Sequence, residues 1–334
     1  MKYALGNMLN GAGGLNPDGL SLDLQFAADK TLTARRGPIP VFIRGSTGTF
    51  VGSNGLIQTA AVNAARFDHD PVTLASRGLL IEESRANLVF PSDALTTQTR
   101  TVTAVAHTLS FYGTGTVVLS GAHSATVVGT GAYPTRTTLT FTPTAGSLTL
   151  TVTGSVTQAQ LEAGSFPTSY IPTTTGSVVR SADVCSISGG DFTGIYNAIE
   201  GSFLSNSSQP FITVANAQVY AADNGSDAER FNLRHQTSFA VSQLGGVTQS
   251  IIDLSDPTAN AVSKIAYAYA NANYGAARNG TLGASTPNLA VPTVNRIFIG
   301  SKGHNSSEYL NGHIASLRYY KKRLPNAKLQ ALTV

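Results

Sequence analysis

Between Pro91 and Arg180 the chain carries only five charged residues, Asp93, Arg100, Arg136, Glu162 and Arg180. A stretch this poor in charge has few ways to fold. It lacks the charged stripe that a surface helix turns towards water, and no run in it approaches the ~20 apolar residues of a membrane span. What it has is alternation. Leu148, Leu150 and Val152 alternate with Thr149, Thr151 and Thr153; Val105, Leu109 and Phe111 share one face, and Leu139 goes with Phe141. Successive side chains of a strand point to opposite faces, so a period of two builds one buried and one wet face. Thr suits the wet face because its β-branched hydroxyl packs on the pleat and still meets water. Gly113, Gly115, Gly121, Gly129, Gly131 and Gly146 punctuate these strands. Short strands with turns at this spacing predict a sandwich or jelly roll.

The flanking segments extend the pattern. Ser21 to Phe26 places Leu22, Leu24 and Phe26 on one face, followed by strand candidates at 41–44, 48–51, 56–59, 78–82 and 85–89. Beyond Ser186, further candidates lie at 210–214, 231–234, 264–269, 277–282 (with an Asn279-Gly280 hairpin turn), 296–300 and 313–320. Pro325 opens a single short helix over 326–332, the position where a proline costs a helix nothing. The expected class is therefore all-β, with β-sandwich or jelly-roll modules in tandem and one short C-terminal helix. The expected organisation is a Gly/Asn-rich anchoring arm at 1–20, an N-terminal β module at 21–90, a central jelly roll at 91–185 and a C-terminal sandwich at 186–334. The arm is expected to order against neighbouring subunits.

Composition removes several kinds of chemistry. One cysteine, Cys185, leaves no intrachain disulfide framework or cysteine metal site. The six histidines are dispersed without ligand spacing, and no Gly-x-Ser-x-Gly elbow or phosphate loop occurs. No cofactor is expected. The net charge of +4 is thin and scattered, with one tight run at Lys321-Lys322-Arg323, so no nucleic-acid footprint is expected. The N-terminus lacks the apolar core of a signal peptide, so the expectation is a protein made in a cytoplasm, without membrane insertion.

Two acid groups need weighing. Glycosidases use two carboxylates about 5 to 9.5 Å apart, and Asp68, Asp70, Glu82 and Glu83 lie close in sequence. Asp68 and Asp70 precede Pro71, however, where Asp commonly caps its own turn, and adjacent Glu82 and Glu83 face opposite ways. Ion pairs with Arg66, Arg77 or Arg85 are the expected role, and no enzymatic activity is expected. Asp223, Asn224 and Asp227 around Gly225 faintly suggest a calcium loop without its regular ligands or closing Glu; a solvated turn is expected instead. For glycan contact, which uses an aromatic platform with amide and acid hydrogen bonds, the candidates are Tyr220 with Asp223 and Asn224, and Tyr274 with Asn279. The absence of Trp weakens this reading.

Three parts of the chain carry a resemblance. Arg44 to Ala60, then Arg66-Phe67-Asp68-His69-Asp70-Pro71 and Arg77 to Leu88, resemble a module of tail and other structural proteins of tailed bacteriophages. Gln160-Leu161-Glu162-Ala163-Gly164-Ser165, Thr168 to Thr173 and Arg180-Ser181-Ala182-Asp183 look like the end of a carbohydrate-binding-like jelly roll in the same proteins. Tyr309 to Ile314, Leu317 to Tyr320 and Leu324 to Leu332 are similar to the closing strand and helix of phage concanavalin/laminin-G-like sandwiches. The resemblance covers roughly 40–90, 155–185 and 260–334. It implies a virion structural protein: a tail-associated adhesin or fibre component contacting the host surface through glycan, with a capsid decoration or head-fibre protein as the alternative and a glycan-degrading tailspike third. Its partners would be other virion proteins, met through the N-terminal region. Long sandwich edges and the lack of disulfides suggest a homotrimer.

Overall fold

The structure is a computed structural model and describes residues 19–211, 216–235, 239–255, 257–285, 290–303 and 308–334. The arm expected at 1–20 lies outside the described residues except for 19 and 20, and so does most of the strand expected at 210–214.

The all-β expectation holds. Two antiparallel eight-stranded sheets form a large sandwich. The first runs in the order Thr281–Leu282, Gly275–Arg278, Ser263–Ala270, Glu200–Ser208, Gly312–Tyr320, Ser76–Ile81 and Phe67–His69, with Leu20–Leu24 also paired to Gly312–Tyr320. The second runs Val41–Ile43, Val184–Ser188, Arg296–Ile299, Gln218–Asp223, Arg230–Arg234, Phe239–Leu244, Val247–Asp253 and Ala284–Ser285. Leu22, Leu24 and Phe26, the face read from alternation, are fully buried between these sheets. Burying each such side chain stabilises by about 1.5–3 kcal/mol. The core is unusually aromatic: Tyr220, Phe231, Tyr267, Tyr269 and Tyr319 join it. The C-terminal helix Asn326–Leu332 sets Leu329 against Leu204, Ala266 and Ala268 on the outer side of the first sheet. That cover explains why Ser263–Ala270 is buried on both faces.

A smaller sandwich lies within this one. A four-stranded sheet (Ala125–Val128, Thr116–Gly121, Gly146–Thr153, Gln98–Val102) faces a three-stranded sheet (Thr137–Phe141, His107–Tyr112, Thr157–Ala163). Leu109, Phe111 and Leu161 from one meet Val117, Leu119, Leu148 and Leu150 from the other. The chain enters and leaves this unit side by side, because Arg85–Asn87 pairs with Val178–Arg180.

One boundary changes. Residues 21–90 are not a module of their own: four of their strands belong to the large sandwich, whose remaining strands come from 184 onwards. The short strands at 20–24, 41–43, 67–69 and 76–81 cannot bury an apolar face alone, so they complete sheets supplied by the later chain. The central unit is thus an insertion between the two parts of one sandwich. Two short helices, Phe26–Asp29 and Gly189–Ile195, also go beyond the single helix expected. The second helix carries two buried side chains, Phe192 and Ile195, too few for a recognisable period.

Candidate functional site

Where the inserted unit meets the large sandwich, five charged side chains are buried together. Arg44 Nη1 lies 3.2 Å from Asp183 Oδ1, and Arg66 reaches the other Asp183 oxygen while its Nη1 lies 2.8 Å from Glu82 Oε2. Arg180 Nη2 stands 3.6 Å from the same Glu82 oxygen. Arg44, Arg66 and Asp183 are all 0% exposed. Three cations face two anions, and carbonyls take up the excess: Arg44 Nε and Nη2 donate to Ser46 O and Ala61 O at 3.0 and 2.8 Å. Burial alone would raise the Glu82 carboxyl, but Arg180, Arg66 and the hydroxyl and amide of Ser169 outweigh it and hold it well below the usual carboxylate range. Burial alone would lower Arg66, yet Asp183 and Glu82 hold its guanidinium above its usual value. Arg66 and Glu82 thus favour each other's charged form, whereas burial and the neighbouring Arg66 lower Arg44.

Glu82 of this cluster also lines a solvent-open cleft of about 180 Å³, below the about 300–1,000 Å³ of enclosed small-ligand pockets. The large sandwich contributes Asp68, Arg77, Asn311 and His313, the two-stranded hairpin of Gly48–Val51 and Ile57–Ala60 contributes Phe50, and the insertion contributes Tyr112, Tyr133, Arg136, Phe166 and Ser169. Tyr112 and Tyr133 meet edge to face with ring centroids 5.2 Å apart. Tyr133 donates its hydroxyl proton to Gly55 O at 2.6 Å, bridging the two units. Its pKa is pushed up to about 12 by burial, with Tyr112, Asp68 and Asp70 adding to the effect, so it remains a donor. Phe166 stacks on Phe211, itself a lining residue, with centroids 5.7 Å apart.

The acids singled out from sequence are engaged in ion pairs. Asp68 accepts the Val51 amide at 2.6 Å and lies 2.7 Å from His313 Nε2. Asp70 caps its turn as expected, accepting the amides of Val72 and Thr73 at 2.9 and 2.8 Å, and pairs with Arg77 at 2.6 Å. The Thr73 amide, Arg77 and the Val72 amide hold its carboxyl far below the carboxylate range. Glu83 pairs with Arg85. Among the described residues, no group of three His, Cys, Asp or Glu is placed to hold a metal. In the turn once weighed as a calcium loop, Asp223 pairs with Arg296 at 2.6 Å and Asp227 with Arg230 and Lys302.

The glycan candidates fall outside the cleft, and burial corrects three of them, Tyr220, Asp223 and Tyr274. Tyr220 is 0% exposed and packs on Phe203 in the core at 4.6 Å, so its ring cannot receive a ligand. Tyr274 is buried too, donating to Ala290 O at 2.5 Å. Asp223 is buried behind its arginine, and Asn224 accepts the Ser226 amide within its own exposed turn. Asn279 is exposed but holds the Ala277–Leu282 hairpin, accepting the Lys264 amide at 2.9 Å. None of the five lines the cleft. Apart from Asp68, Arg77 and Glu82, the residues that do carry no joint signal in the sequence, because they sit far apart along it on strands and loops of different sheets. One signal was present: Arg136 is among only five charges in 91–180 and stands just ahead of a strand.

No protein-family profile and no curated protein matches the chain. Several solved structures share the sandwich at low similarity. The CBM40 module of the Ruminococcus gnavus IT-sialidase matches with TM-score 0.35 and 16% identity, over 41% of this chain and 84% of that one. Domain 4 of an extracellular GH43 arabinanase from Geobacillus stearothermophilus, in complex with arabinotriose, gives 0.34 and 13%, over 51% and 82%. Domains LG4-5 of the mouse laminin α1 chain give 0.29 and 12%, over 74% and 88%. At these scores the likenesses carry no argument about what this chain binds.

Proposed function

We propose that this chain is a non-enzymatic binding protein of a tailed-bacteriophage particle, a tail-associated adhesin that holds a host-surface glycan in the cleft between its two sandwiches. The cleft carries the reading. It gathers the rings of Tyr133 and Phe211 with the polar side chains of Arg136, Asn311 and His313, the pairing of apolar platform and directional polar contact that sugars require. The ion pairs of Asp70 and Glu82 support binding over hydrolysis, because a carboxylate fixed against a cation is poorly placed to give or take a proton. The virion setting is supported by the resemblance of 40–90, 155–185 and 260–334 to phage modules. Self-association, expected as a homotrimer, is supported by the exposed Val41 and Ile43 of the edge strand Val41–Ile43; a monomer in sedimentation at micromolar concentration removes it.

The test is host-cell binding by the purified chain and by Tyr133→Ala. The chain should bind and compete with infection, and the variant should lose most of that binding. Equal binding by both takes the cleft out of the reading. Antibody labelling of particles on the head alone replaces the adhesin with a decoration protein.

A further inference from the structure

Among the charges lining the cleft, Arg77 is paired with Asp70 and Glu82 with Arg66 and Arg180, and Asp68 lies against the His313 imidazole. Among the described residues, Arg136 has no carboxylate within ion-pair distance. Its contacts are neutral: Nη1 donates to Thr168 O at 2.7 Å and Nη2 to Ser110 Oγ at 2.8 Å. Its Nε is buried without a partner. A guanidinium has five N–H donors, so two bonds orient the plane and leave an N–H on each Nη unspent. The side chain is partly exposed, and it lines the cleft beside Tyr112. Burial raises the Tyr112 hydroxyl while the Arg136 charge pulls it down, which places the two side by side. A cation aligned by neutral acceptors in a half-desolvated cleft favours an anion, and a planar fork favours a carboxylate.

We propose that Arg136 receives the carboxylate of an acidic sugar, so that the cleft selects carboxylate-bearing glycans over neutral ones. This rests on the glycan-binding reading above and names its ligand class. Tyr133 supplies the wall against which the sugar ring lies, and Arg136 reads its charge.

The test applies the full chain to an array of neutral, uronate-bearing and sialylated oligosaccharides, each acidic one printed beside its carboxyl-reduced form. Bound glycans should be acidic and should lose about 10- to 100-fold in affinity on carboxyl reduction, the worth of a charge-assisted hydrogen bond. Arg136→Gln should lose a similar factor, and Arg136→Lys should recover part of it. Binding of the acidic form should weaken as salt is raised. The carboxyl-reduced comparison uses the unaltered protein, so it stands even where a variant folds poorly. Neutral glycans bound as well as acidic ones overturn the assignment and leave the glycan reading intact. No glycan bound at all removes both.

Discussion

Replacing Asp183 by Asn removes one charge from the buried cluster while nearly keeping its shape. Asp183 receives Arg44 and Arg66 on its two oxygens, and the Glu82 amide donates to Oδ2 at 2.9 Å. With the carboxylate gone, two fully buried guanidinium groups lose their main counter-charge, and the amide nitrogen of the new side chain faces one of them. Removing one partner of a buried pair costs about 3–5 kcal/mol, because an uncompensated charge stays in the interior. Unfolding entropy of about 2.1 cal/mol/K per residue gives ~0.7 kcal/mol/K for a chain of this length, so the expected drop in melting temperature is about 4–7 °C. Differential scanning calorimetry reads it. Asp29→Asn is the control, since its pair with Arg35 is exposed, with 54% of the arginine side chain in water. That change should cost under about 1 kcal/mol. If Asp183→Asn melts no lower than Asp29→Asn, the buried cluster does not hold the two units together in the way described.

Two further outcomes follow from the same geometry. The Glu82 carboxyl lies below its ordinary value of about 4.3 in the folded chain, so its contribution is complete above about pH 5 and drains away as pH falls towards the folded value. Wild-type melting temperature should therefore fall more steeply from pH 5 to 3 than that of Glu82→Gln, and parallel curves would count against the ion pairs with Arg66 and Arg180. Gly78 sits at φ +96°, where a Cβ would lie 2.3 Å from the Ile314 carbonyl oxygen of the neighbouring strand. Gly78→Ala should cost about 3 kcal/mol or more in urea unfolding; a midpoint within error of wild type would contradict that close approach.

Much of the strand content was legible because alternation is a local property. Leu22, Leu24 and Phe26, the Leu148 to Val152 run and the helix after Pro325 all appear where the residue pattern puts them. Glu200–Ser208 escaped notice, although it is the middle strand of the first sheet. Its serines and asparagine carry little apolar signal, and Ser202, Ser205 and Ser207 are buried only because strands lie on either side. The insertion was illegible for a related reason. Nothing in Val41–Ile43 says that its partner is Val184–Ser188, since pairing register over such a distance is set by the whole core. The cleft failed to show for the same cause: Tyr133, Arg136 and His313 are brought together only by the docking of two units. Tyr220 misled because a tyrosine near acids and amides reads alike on a surface loop and in a core.

The interleaving also fixes the order in which the molecule can be completed during synthesis. Ser21 bonds to the Tyr319 carbonyl, 298 positions away, and Gly312–Tyr320 lies between Glu200–Ser208 and Ser76–Ile81. A ribosome therefore delivers the early strands long before the strand on which they lie. The inserted unit, whose core draws only on residues 88–161, closes soon after it emerges. Leu22, Leu24 and Phe26 wait, apolar and unpaired, until Gly312–Tyr320 has emerged, the slow and exposed route that non-local pairing imposes. The outer sandwich is begun first and finished last.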